Sequence, residues 1–242
     1  MTKEKILDEI ARLNEQLKNA GSAEVLDYFC KQYKDQISFS SSMGAEDQVI
    51  IDMIARSGNR VKIFTLDTGR LFPETYDLID RTRKQYGIGI DVIFPDFGLV
   101  EKMVKEKGVN LFYESIENRK LCCHIRKVEP LKRALSGMNA WITGIRKDQT
   151  LKRFNTSLVE WDDSYGLIKT NPLFKWTEKM VWEYIRSNNV PYNVLHDKGF
   201  PSIGCQPCTR AVGSGDDPRS GRWWWEEQGQ RECGLHIKED RG

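Results

Sequence analysis

The sequence predicts an α/β protein with a mainly parallel sheet flanked by helices. Two patterns carry this expectation. Short runs rich in Ile, Val and Phe alternate with longer segments of helical periodicity. Several of these runs also stop in a Ser-, Gly- or Asp-containing loop before the next helical segment, the order that right-handed crossovers between parallel strands produce. A chain of 242 residues suffices for one large domain, or for a domain with an appendage.

Ile6, Leu7, Ile10, Leu13 and Leu17 recur at helical spacing and predict a surface helix ending near Gly21. Val25, Leu26, Tyr28, Phe29 and Cys30 predict a second helix packed on the core, with Cys30 as a small buried hydrophobe. The first strand is expected over 37–40, followed by the Ser41-Ser42-Met43-Gly44-Ala45-Glu46-Asp47 loop and a helix carrying Val49, Ile50, Met53 and Ile54. A second strand over 61–66 ends in Asp67-Thr68-Gly69-Arg70, and Pro73 opens the next helix. Strands over 90–94 and 140–143 follow, with helices between. Segments 157–161 and 165–169 pair as a hairpin through Asp162-Asp163-Ser164, and Thr177 caps a helix to about Asn188. From Gly199 the chain turns rich in Gly, Pro and Ser, with Trp223-Trp224-Trp225 as its main apolar mass. It reads as a mobile C-terminal tail that docks on the cleft, which divides the chain into 1–200 and 201–242.

Charge is nearly balanced, a net +2 with 30% charged and 39% hydrophobic residues. No global basic field invites nucleic acid. The start Met1-Thr2-Lys3-Glu4-Lys5 is not an apolar signal region, and no membrane-length apolar run follows. The expectation is a cytoplasmic chain without a membrane partner. Its six cysteines then favour metal or catalytic roles over disulfides.

In parallel sheets, ligands sit beyond the carboxyl ends of the strands, so the loops at 41–47, 67–70 and 144–153 are expected to line one cleft. The 37–54 strand–loop–helix reads either as a phosphate cradle or as a capped turn. No lysine follows Gly44, so it is not the phosphate loop of the NTPases. The run Gly144-Ile145-Arg146-Lys147-Asp148-Gln149-Thr150-Leu151-Lys152-Arg153 is a solvated charge run by composition and an anion site by placement. Asp67-Thr68-Gly69 is likewise a turn by composition and a nucleoside contact by placement.

The cysteines are more specific. Leu121-Cys122-Cys123-His124-Ile125-Arg126-Lys127 puts neighbouring thiols before a basic turn, and Gly204-Cys205-Gln206-Pro207-Cys208 supplies a C-x-x-C. Structural zinc sites take spaced pairs, and adjacent ligands make a tetrahedral site awkward. An iron–sulfur cube offers separate corners to neighbouring thiolates, so the spacing favours [4Fe–4S] over zinc. Cys233 remains as a free thiol with His236 three positions on, and a nearby cation would enrich its thiolate. Arg219 and Arg222, in a Gly-flanked stretch, suit an anion clamp. With no cysteine close by to resolve an oxidised Cys233, an external dithiol must complete any redox cycle.

Five motifs in this order resemble the assimilatory sulfonucleotide reductases: Ser40-Ser41-Ser42-Met43-Gly44-Ala45-Glu46-Asp47; Leu66-Asp67-Thr68-Gly69-Arg70-Leu71-Phe72-Pro73-Glu74-Thr75; Thr143-Gly144-Ile145-Arg146-Lys147-Asp148-Gln149; the two cysteine pairs; and Glu232-Cys233-Gly234-Leu235-His236. The paired cysteines resemble the iron–sulfur branch, which acts on adenosine 5′-phosphosulfate (APS). The branch using the 3′-phosphorylated nucleotide (PAPS) typically lacks them. The resemblance implies an adenine nucleotide α-hydrolase-like (PP-loop-like) fold, a [4Fe–4S] cluster on Cys122, Cys123, Cys205 and Cys208, and thioredoxin or glutaredoxin as reductant. It also implies a phosphate loop with Ser40, Ser42 and Gly44, nucleoside contacts at Leu66, Asp67 and Thr68, and Gly144 and Arg153 on the substrate. Lys127 would stand between cluster and substrate, Arg219, Arg222 and His236 would clamp the anion, and Cys233 would be the nucleophile. Thr150-Leu151-Lys152 departs from the family's Ser-Pro-Thr ahead of Arg153.

Other readings predict different chemistry. A PAPS-specific or dual-substrate reductase needs only one more cation near the ribose. An ATP-dependent adenylating or tRNA-thiolating enzyme would carry a Ser-Gly-Gly-x-Asp-Ser loop, where this chain has Ser41-Ser42-Met43. A four-cysteine zinc module on nucleic acid leaves Cys233 without a role. The N-terminal helix is available as a homo-oligomer interface, although nothing in the sequence requires one.

Overall fold

The computed structural model describes residues 2–149, 156–213 and 215–227. The elements run α1 Lys3–Gln16, α2 Ser22–Tyr33, β1 Ile37–Ser41, α3 Ala45–Ser57, β2 Lys62–Leu66, α4 Pro73–Tyr86, β3 Asp91–Ile93, α5 Phe97–Lys107, α6 Ile116–Cys123, α7 Glu129–Leu135, β4 Ala140–Ile142, β5 Val159–Asp162, β6 Leu167–Thr170 and α8 Glu178–Asn188. The strands form one sheet in the order β3-β2-β1-β4-β6-β5. β4 pairs parallel with β1 and with β6, while β5 closes the edge antiparallel to β6. The expected hairpin turn forms because Asp162 Oδ1 accepts from the amides of Ser164 and Tyr165. Thr177 caps α8 by accepting from the Met180 amide at 3.3 Å.

The chain divides into two compact units, each drawn from three stretches: Met1–Phe64, Asp80–Asp91 and Gly137–Tyr192 in the first, and Thr65–Ile79, Val92–Ser136 and Asn193–Gly242 in the second. Both units are therefore discontinuous in sequence. Packing follows the crossovers of the sheet, and these return distant stretches of chain to one core.

In the first unit, Phe29, Ile37, Phe39, Val49, Ile50 and Ile142 are fully buried at its centre. α1 turns Ile6 and Leu13 inward, and Leu17 at its C-cap is buried with them. Asn14 donates to the Val159 carbonyl at 2.8 Å and accepts from the Val159 amide at 3.1 Å. One side-chain amide thus acts as a strand partner and blunts the β5 edge. Much of the apolar face of α1 is thereby covered inside the protomer. Asp52, wholly buried on α3, accepts from Tyr86 at 2.9 Å, Tyr184 at 2.7 Å and Arg56 at 2.7 Å, joining α3 to α4 and α8.

The second unit has its own apolar cluster, with Met103, Leu111, Phe112, Ile125, Cys205, Cys208 and Trp223 buried together. One expectation changes here. The basic stretch after Cys123 is not a turn: α6 runs into a π-helical segment, His124–Val128, and on into α7. In the described chain after Gly199, Trp223 is packed at 0% exposure, while Arg210, Ala211, Gly213 and 215–218 are exposed. Glycine and proline content there marks tight turns around a buried indole. The last part of the expected tail, 228–242, lies outside the described residues.

Candidate functional site

The strand order reverses between β1 and β4, both in the first unit, and the loops leaving their carboxyl ends meet there. Ser42 donates its amide (2.6 Å) and its hydroxyl (2.7 Å) to Asp47 Oδ2, folding the 41–44 loop over the start of α3. Met43 takes the left-handed conformation, φ 60, that Gly-rich loops assign to glycine. A side chain there costs on the order of 1–2 kcal/mol. Burial to 1% exposure and sulfur contacts with Ser41 Oγ (3.5 Å) and Gln48 Nε2 (3.8 Å) offset that cost. The missing second glycine is thereby replaced by a packed methionine. Ser40 accepts from the Trp141 indole at 2.7 Å, joining β1 to β4.

Gly144 is needed for a close approach. A Cβ there would lie 2.1 Å from Asp47 Oδ1. Glu46 then collects the β4 loop, accepting from Arg146 Nε and Gln149 Nε2, each at 2.9 Å. Arg146 is 5% exposed, so it belongs to a built ion pair rather than to a solvated charge run. A serine loop opening a helix, bounded by a glycine and an anchored arginine, can seat a phosphate at the helix N-terminus. Arg153 lies outside the described residues.

The 67–70 loop belongs to the second unit. Asp67, 4% exposed, accepts from the Gly69 amide (2.7 Å) and the Tyr76 hydroxyl (2.9 Å). Burial and this carboxylate push the Tyr76 phenol up to about 12. Leu66 ends β2 half-buried. Thr68 points its hydroxyl at the Cys205 sulfur, 3.2 Å away, and its carbonyl accepts from Arg126 Nη1 at 2.6 Å. The expected nucleoside loop is therefore bonded to the cysteine segments.

Cys122 and Cys123 end α6, where successive side chains diverge by roughly 100° about the axis. Cys205 and Cys208 bracket a 3-10 turn, Gln206–Cys208, and the Gln206 amide donates to the Arg70 carbonyl at 2.8 Å. Burial raises the Cys122 thiol, against the pull of Arg126, Lys127 and Arg70. Burial pushes Cys208 up to about 12, against Lys127 and Arg222. Lys127 is thus near enough to Cys122 and Cys208 to act on both electrostatically. Among the described residues, no three His, Cys, Asp or Glu side chains are grouped as a single metal ion requires. Four soft thiols, an adjacent pair that diverges, an apolar shell and nearby cations form a donor set that suits an iron–sulfur cluster.

Arg222, expected in the anion clamp, packs against Trp223. It is 6% exposed, and its guanidinium carbon lies 4.7 Å from the Trp223 ring centre. A Cβ on Gly204 would sit 2.3 Å from its Nη2. Arg219 is half-buried in the turn before it, where its carbonyl accepts from the Arg222 amide. Cys233 and His236 lie outside the described residues. Sequence reasoning passed over Glu46, Tyr76, Arg119, Arg126 and Glu226. Glu46 stands in the acidic first turn of α3 and Arg126 in the basic stretch after Cys123, so the sequence signals for these two were a motif and a charge run.

The chain matches the phosphoadenosine phosphosulfate reductase domain over residues 36–211. It is 50% identical over 203 residues to a Burkholderia cepacia protein named adenosine 5′-phosphosulfate reductase, covering 84% of this chain and 81% of that one. A Pseudomonas aeruginosa (strain LESB58) protein of the same name is 46% identical over 235 residues, covering 95% and 87%. Among solved structures, a phosphoadenylyl-sulfate reductase from Candida auris superposes with a TM-score of 0.73 at 33% identity, covering 88% of this chain and 98% of that one. Yeast FAD synthetase, at 16% identity, a TM-score of 0.52 and coverage of 74% and 59%, shares the adenine nucleotide α-hydrolase-like fold.

Proposed function

Because this chain belongs to the phosphoadenosine phosphosulfate reductase domain family, we propose that it reduces APS to sulfite and AMP in sulfate assimilation. The observation that carries the choice of APS is the gathering of both cysteine pairs in the second unit, with Thr68 and Lys127 beside them. In the reaction, the Cys233 thiolate attacks the sulfur of APS. The bond from sulfur to the phosphate oxygen breaks, and AMP leaves with the electron pair. The enzyme then carries an S-sulfocysteine. A thiolate of thioredoxin or glutaredoxin attacks the Cys233 sulfur and expels sulfite. The carrier's second thiol closes its disulfide and frees Cys233. The dithiol supplies both electrons, so none is required from a metal centre.

The 41–44 loop and the α3 N-terminus would receive the nucleotide phosphate, with Gly144 holding the loop closed. Arg153, Arg219, Arg222 and His236 would balance the sulfate and the charge growing on the leaving phosphate. Cys122, Cys123, Cys205 and Cys208 would hold the [4Fe–4S] cluster, whose charge, when bound, would tune the site electrostatically through Lys127. Reduced thiols and a dithiol carrier belong to a reducing compartment, here the cytoplasm. No helix among the described residues is long and apolar enough to cross a membrane.

Intact-protein mass spectrometry of anaerobically purified enzyme mixed with APS, without reductant, tests this reading. One sulfonate adduct on Cys233, removed by reduced thioredoxin with release of sulfite, is expected. No adduct from enzyme that binds APS would refute the covalent route. The Candida auris relative is named for PAPS, so the same assay with PAPS decides between a strict and a dual enzyme.

A further inference from the structure

The Arg119–Glu226 pair, buried in the second unit, has no part in the reaction just described. Arg119 is 0% exposed and lies on α6, three and four residues before Cys122 and Cys123, and so on their face of the helix. Its guanidinium meets Glu226 in a two-pronged pair, Nε to Oε1 at 2.9 Å and Nη2 to Oε2 at 2.8 Å. Its central carbon also lies 5.0 Å from the ring centre of Trp223, the ring on which Arg222 stacks. Trp223 is held in a left-handed backbone conformation, φ 45, which is strained for so large a residue. Its amide donates to the Cys208 carbonyl at 3.2 Å, and its carbonyl accepts from the Glu226 amide at 2.9 Å. Arg222 in turn lies against Gly204, next to Cys205. A continuous set of contacts thus runs from α6 through Arg119, Glu226 and Trp223 to both ends of the Cys205–Cys208 segment.

We propose that the Arg119–Glu226 pair is a positioning latch that fixes the Cys205–Cys208 segment relative to Cys122 and Cys123. This inference rests on the reading of the four cysteines as the ligands of one iron–sulfur centre. An ion pair buried this deeply is weak support for stability alone, since apolar residues of similar volume often serve as well. Its two-pronged geometry and its stacking instead fix direction, which a salt bridge from lysine would not.

The test compares anaerobically purified wild type with Glu226→Gln, Arg119→Lys and the double variant Arg119→Met/Glu226→Leu. Bound metal, the visible absorption spectrum, the rate of metal release to a chelator and the circular dichroism spectrum are measured for each. The double variant removes both charges of the pair together, so its native dichroism is expected to persist. Its metal release should nevertheless accelerate by about ten- to a hundred-fold, the range typical when a group that orients a metal ligand is lost. Arg119→Lys should release metal faster with a shifted visible band, and Glu226→Gln should match or exceed it. Wild-type release and spectrum in the double variant would overturn the latch, as would wild-type values in Arg119→Lys should the double variant fail to fold. Zinc in the wild type would refute the iron–sulfur reading, and release of that zinc would still decide the latch. A wild type without any metal would refute both.

Discussion

Single residues decide whether the 41–44 loop can close. Gly144 stands where a methyl group would meet Asp47 Oδ1 at 2.1 Å, and Asp47 holds both the amide and the hydroxyl of Ser42. Gly144→Ala is therefore expected to push Asp47 off Ser42 and weaken AMP binding at least about ten-fold by calorimetry. The same overpacking should cost about 1–3 kcal/mol in urea unfolding. Unchanged AMP affinity would show that the loop closes without this contact. Met43 carries a different lesson. A sequence comparison sees a missing glycine, whereas the structure places a buried methionine in the left-handed conformation and seats its sulfur between Ser41 and Gln48.

At the scale of elements, helices bring the chemistry together where the sequence suggested turns. The π-helical segment His124–Val128 keeps Arg126 and Lys127 on the helix that carries Cys122 and Cys123. Such π segments are frequent at functional sites. In the first unit, the element scale is governed by Asp52, whose buried carboxylate is shared by Tyr86 and Tyr184. Burial, and then this carboxylate, push both phenols above their usual range. Tyr86→Phe or Tyr184→Phe leaves a buried charge one donor short. Each is expected to lower unfolding stability by about 1.5–3 kcal/mol. Losses below a few tenths of a kcal/mol, read from chemical denaturation, would mean that water replaces the hydroxyl.

Over the whole molecule, the two units divide the work. The 41–44 loop and Gly144 fall in the first unit, and Cys122, Cys123, Cys205 and Cys208 in the second. On the proposed iron–sulfur reading, removing the metal anaerobically is expected to raise amide exchange in α6 and around Gln206–Cys208 by roughly ten-fold or more, while β1 and α3 keep their protection. Hydrogen-exchange mass spectrometry reads this directly. An even loss over both units would count against a division of labour.

The sequence by itself determined the class of fold, the approximate place of every strand, the α8 cap, the family and the two cysteine pairs. These depend on local periodicity, turn chemistry and residue spacing, all of which are written along the chain. Only the tertiary structure decided that Thr68 faces Cys205, that Glu46 gathers Arg146 and Gln149, that Arg222 is buried on Trp223, and that Arg119 meets Glu226 across 107 residues. A charged residue in sequence is as readily a solvated one. Which carboxylate meets which guanidinium is fixed when the crossovers bring distant segments into one dry interior, where an unpaired charge is too costly to keep.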